Sequence, residues 1–144
     1  MRWRQVSATA VMAALLAAGG CGSGAPTAPA GSLTGVWAGV LTREFDRGRT
    51  MWQLTQTGSA VTGTWSVDYD GQTPDAGGSL GGTVIGSSVS VFLAPSEPLT
   101  CDTGVVLSGT LSISGTIADD RITGTHATFT CDAADSGTVE VSRQ

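Results

Sequence analysis

The residues with the greatest capacity for chemistry are two acidic triplets, Asp102-Thr103-Gly104 and Asp135-Ser136-Gly137. Two carboxylates that share one proton can act as acid and base in hydrolysis. Asp-Xaa-Gly is equally a turn sequence, because Asp bonds its own backbone and Gly accepts positive φ, and turns are the expectation. A second acidic group, Asp68, Asp70 and Asp75 around Gly71, offers oxygen ligands to Ca²⁺, which takes roughly six to eight. Its spacing departs from that of an EF-hand loop, so an acidic hairpin tip is expected and no metal is assigned. His126 is the single histidine. It has neither a second His nor a free thiolate with which to share zinc. No nucleophile elbow, phosphate loop or His-Glu zinc motif occurs. The expectation is a non-enzyme without a cofactor.

The three cysteines carry the remaining chemistry, and the first of them is read with the leader. Arg2 and Arg4 form a positive start, and Ala8 to Ala18 an apolar run of about eleven residues, too short to span a bilayer and suited to a signal-peptide core. Residues 1–20 are therefore expected to be a signal peptide. The run ends in Leu15-Leu16-Ala17-Ala18-Gly19-Gly20-Cys21, which resembles a bacterial lipoprotein processing box, with Ala18 where such boxes usually carry Leu. The resemblance implies that Cys21 becomes a lipidated N-terminus, carrying diacylglyceryl and an amide-linked acyl chain such as palmitate. Ordinary secretion, with cleavage after Ala18 or Gly20, would leave Cys21 as a thiol and the cysteine count odd. With Cys21 lipidated, Cys101 and Cys131 remain as one disulfide of an exported protein, closing a loop worth roughly 3–4 kcal/mol in the chain-entropy model. Gly22 and Ser23 lack the Asp that resembles an inner-membrane retention signal, which favours the outer membrane if the organism has one.

Charge narrows the partners. The whole chain carries a formal −5, and removing Arg2 and Arg4 from the seven basic residues leaves five Arg against twelve Asp and Glu, a net −7. An acidic chain without a basic run has no footprint for nucleic acid, and the absence of Lys removes the usual polybasic membrane patch. There is no Asn, hence no N-glycosylation acceptor. Residues 21–32 are the lipidated Cys and a linker of Gly, Ser, Ala, Pro and Thr, expected to be a flexible tether. One domain is expected over residues 33–144, about 112 residues, enough for a core.

The elements that must position any site read as strands, because period two recurs between turn residues and no useful helical period does. Eight are expected: 33–42, 50–56, 61–69, 79–85, 88–94, 105–117, 121–131 and 136–143. Val61, Gly63, Trp65, Val67 and Tyr69 share one face of the third, with hydroxyls and Asp68 on the other, as in a sheet with one wet face. Six Thr/Ser/Gly-Gly-Xaa repeats place glycines inside strands, where they mark bends or close backbone approach. The expected fold is an all-β, antiparallel up-and-down barrel, whose closure leaves no exposed edge. A β-sandwich is the alternative, supported by the long connection 95–104.

Gly35-Val36-Trp37 in the first strand looks like the Gly-Xaa-Trp opening of lipocalins and related calycin barrels. That resemblance implies that Trp37 closes one barrel end and that Arg143, from the last strand, packs across it. Leu33 to Trp37, followed by Ala60 to Trp65, also resembles two strands of avidin-type barrels. The chain has no Trp after Trp65, so biotin binding is not carried over, and it lacks the length of a lipocalin. The two Asp-Thr/Ser-Gly triplets match the spelling in aspartic proteases without the apolar residues that precede the triplets there.

Trp37, Trp52, Trp65, Tyr69 and Phe92 are the candidate pocket, since barrel mouths bind apolar ligands; the plainer reading is that aromatics fill the interior. The leading expectation is a lipid-anchored binding module of the cell envelope, holding a small apolar ligand or a partner protein. A structural or envelope-assembly lipoprotein with a filled barrel is the alternative, and a hydrolytic enzyme ranks last.

Overall fold

Alternation of apolar and hydroxyl side chains turns one face of each strand inward, and closing the sheet on itself buries that face without a second layer. The computed structural model describes residues 31–44, 46–70, 75–100, 106–107, 111–129 and 134–144. Its strands are β1 (Gly35–Thr42), β2 (Arg47–Thr57), β3 (Ala60–Tyr69), β4 (Ala76–Ile85), β5 (Ser88–Pro95), β6 (Leu99–Thr100), β7 (Val106–Leu107), β8 (Leu111–Ala118), β9 (Arg121–Phe129) and β10 (Ala134–Arg143). Eight of them close into an antiparallel barrel in the order β1-β10-β9-β8-β5-β4-β3-β2, and β6 and β7 form a separate ribbon. The described residues thus form an all-β closed barrel rather than a sandwich.

The expected sixth strand, 105–117, divides into β7 and β8. The two pieces have different partners. β8 pairs with β5 only as far as Leu93↔Leu111, and β5 ends on Pro95, which has no N–H to give a ladder. Val106 and Leu107 pair instead with Thr100 and Leu99.

Interior positions are taken by Leu54 and Trp52 of β2, Val61, Trp65 and Val67 of β3, Leu80 and Val84 of β4, Val89, Val91 and Leu93 of β5, Ile113 of β8, Ile122 of β9 and Val139 and Val141 of β10, all buried in one cluster. Each such side chain contributes about 1.5–3 kcal/mol by leaving water. Glycines let the wall coil around this core. At Gly137 a Cβ would strike the Thr42 carbonyl oxygen and the His126 ring, so only Gly allows β1, β10 and β9 to approach as they do.

The barrel has two unlike ends. At one, the strand connections are Gly58-Ser59, Gly86-Ser87 and Asp119-Asp120. Both aspartates adopt left-handed φ, 49° and 57°, the geometry of a type I′ hairpin turn. At the other end the connections span 43–46, 70–75, 96–110 and 130–133.

Candidate functional site

Three of the proposed pocket residues form one row across the interior. Trp37 of β1 stands beside Trp52 of β2, and Trp52 beside Trp65 of β3. Trp37 and Trp52 are fully buried and Trp65 nearly so. A buried indole N–H needs an acceptor, and each has one within the protein. Trp37 Nε1 donates to Leu33 O at 2.9 Å, Trp52 Nε1 to Thr50 Oγ1 at 3.0 Å and Trp65 Nε1 to Ala94 O at 3.3 Å. Thr50 Oγ1 in turn donates to Ser66 O at 2.8 Å. None of these three indole donors is held in reserve for a ligand, and the row reads as packed core.

Tyr69 lies half-buried on the edge of the core cluster, with the Arg43 guanidinium 5.6 Å from its ring centroid. Phe92 does not join the pocket. Odd-numbered residues of β5 face inward, so Phe92 points outward at 50% exposure, between Gly81 of β4 and Ser112 of β8.

The tight-turn end is sealed. Arg143 stacks its guanidinium 4.7 Å from the Trp37 ring centroid, a cation–π contact. Its Nε donates to Asp120 Oδ1 at 2.9 Å, Nη1 to Thr34 O at 2.8 Å and Nη2 to Ser32 O. Leu33 is 1% exposed, and its N–H donates to Gln56 Oε1 at 2.8 Å. Residues 32–34 therefore act as a plug beneath Trp37. Sequence reasoning placed Leu33 in the first strand and Ser32 in the linker. The signal for the plug was a lone large apolar residue directly after a tract of small ones.

The buried polar side chains among the described residues, Thr50 and His126, both lie in the half under the longer connections. His126 crosses over Gly137, its partner in the register, and its Nε2 lies 2.9 Å from Thr42 O. A carbonyl can only accept, so Nε2 carries the hydrogen.

Asp68, Asp70 and Asp75 are all exposed. Asp75 Oδ1 accepts the Tyr69 N–H at 3.1 Å, which spends one carboxylate oxygen on the hairpin itself. Among the described residues no group of three His, Cys, Asp or Glu is placed to hold a metal. The triplet 102–104 and both Cys101 and Cys131 lie outside the described residues, as does Cys21. Asp135 pairs with Thr128 in the β9–β10 ladder.

On the outer wall a shallow concavity of about 250 Å³ lies over β1 and β10, lined by Ala38, Val40, Thr42, Arg47, Thr138 and Glu140 among others. Glu140 is paired with Arg121 at 3.2 Å, both well exposed. The hollow has solvated walls and no buried polar group aimed into it. In comparison with known proteins, no family model, no curated protein and no solved structure matches the chain.

Proposed function

We propose that this protein is a lipid-anchored binding module of the cell envelope, in which the barrel is a rigid scaffold and recognition takes place at the end with the long connections. The observation that carries this reading is the inequality of the two ends. One is sealed by the plug and three tight turns; the other carries the long segments, the half-buried Tyr69 and the buried polar pair Thr50 and His126. Loops held by a rigid scaffold are where binding surfaces are built. In this reading Cys21 is lipidated after removal of residues 1–20, Cys101 and Cys131 are joined, and the ligand is a small apolar molecule or an envelope protein. The outer membrane is the favoured site if the organism has one, and no catalytic activity is assigned.

A second reading is favoured by the three satisfied indoles: a structural lipoprotein whose filled barrel carries nothing. Native mass spectrometry of the mature lipoprotein, extracted in mild detergent from its own host, separates the two. A retained small molecule or copurifying protein partner is expected. A bare mass that takes up no offered lipid, with no partner, would give the structural reading the field.

A further inference from the structure

We infer that the tight-turn end faces the membrane and that the end with the long connections is presented away from it, so that the partner approaches from the aqueous side. This rests on the lipid-anchored reading of Cys21. The geometry that carries it is the plug. The N-terminal segment reaches the barrel at Ser32, where Arg143 donates to the carbonyls of Ser32 and Thr34. Gln56 fixes the strand-side end of the junction, its Oε1 accepting from Leu33 N and its N–H donating to Thr34 Oγ1. With Leu33 buried, the chain cannot leave from another point on the barrel without unseating this residue.

Distances then decide orientation. Ten residues, 22–31, lie between Cys21 and Ser32 of the plug, and the eleven Cα steps from 21 to 32 give a reach of at most roughly 38 Å fully extended. A barrel of ten-residue strands tilted near 40° stands about 25 Å tall. To bring the far end onto the lipid, the segment must run the whole height of the wall, consuming most of its reach. With the plug nearest the lipid it need not extend at all. The exposed side chains of Val36 and Ile85 also belong to the tight-turn end, at 40% and 60% exposure, and suit contact with an interface. Asp119 and Asp120 stand at that end too and oppose adhesion to anionic lipid, so the point of attachment, rather than surface charge, sets the orientation.

The test uses the full lipidated chain in phosphatidylethanolamine and phosphatidylglycerol vesicles that carry an energy-transfer acceptor lipid. A fluorescent amino acid replaces Ser87, in a tight turn, or Glu97, at the other end; both positions are exposed. Transfer from position 87 is expected to exceed that from position 97, and the excess is expected to shrink when residues 22–31 are duplicated to double the reach. Equal transfer, or more from position 97, overturns the orientation. An excess that survives duplication overturns the attachment point as its cause. A chain that does not float with the vesicles overturns the anchored reading itself, and is distinguished from the other failures by that flotation.

Discussion

The two ends of the barrel are built on opposite principles. At the tight-turn end each connection is a two-residue turn, the start of β1 and the end of β10 meet through Arg143 and the plug, and the interior beneath is apolar: Trp37, Leu54, Val61, Val84, Val89, Ile122 and Val141. At the other end the connections lengthen, and the interior admits Thr50, tied to a backbone carbonyl of the neighbouring β3, and His126, which reaches past β10 to a backbone carbonyl of β1. Polar groups in a core cost stability unless they are satisfied, and when satisfied they fix one arrangement. The first end therefore supplies stability, while the second trades some of it for chemical character.

If that division holds, the heaviest loss comes from the sealed end. Trp37→Ala removes a fully buried side chain, the indole N–H that donates to the Leu33 carbonyl and the platform under Arg143. The expected cost is about 3–5 kcal/mol in a urea melt. A much smaller loss would mean that the plug and Trp37 are dispensable and that the two ends share the work evenly.

Gly137→Ala probes the other half with a single methyl group. Its Cβ meets the Thr42 carbonyl and the His126 ring, so β1, β10 and β9 must part and the His126 contact with Thr42 must lengthen. Overpacking of this kind costs about 1–3 kcal/mol, and the His126 ring resonances are expected to shift in NMR. Unchanged resonances would show that the close approach at Gly137 does not hold His126.

Much of this contrast was legible in the sequence, and where it was not the reasons are physical. β3 announced itself, because Val61, Trp65, Val67 and Tyr69 alternate with Thr, Ser and Asp without interruption, and closure followed from sequential strands with tight turns between them. The Trp37–Arg143 stack came from a resemblance rather than from periodicity, which says nothing of contacts between residues at opposite ends of a chain. The separation of β7 from β8 left no mark on the pattern of residues 105–117; it shows only in their partners, β7 pairing with β6 and β8 with β5. The plug was hidden for a similar reason. Leu33 has no alternating partner before it, and its burial depends on Gln56 and Trp37, which only the closed barrel brings near.

Phe92 shows the limit most directly, and its substitution is expected to have the smallest effect. Val91, Phe92, Leu93 and Ala94 form a continuous apolar run, in which parity cannot be read, and aromatic size favoured the interior. The ladder decides otherwise: Val89, Val91 and Leu93 fill the core, leaving Phe92 outside over Gly81. Phe92→Ser should therefore cost less than about 1 kcal/mol, the range of a cross-strand surface contact. It should also leave any ligand retained in native mass spectrometry in place. A loss of about 3–5 kcal/mol, typical of a buried Phe, would reverse the parity of β5 and return Phe92 to the interior. The row of tryptophans would then face an aromatic across the barrel, and the filled interior that separates scaffold from recognition surface would have to be redrawn.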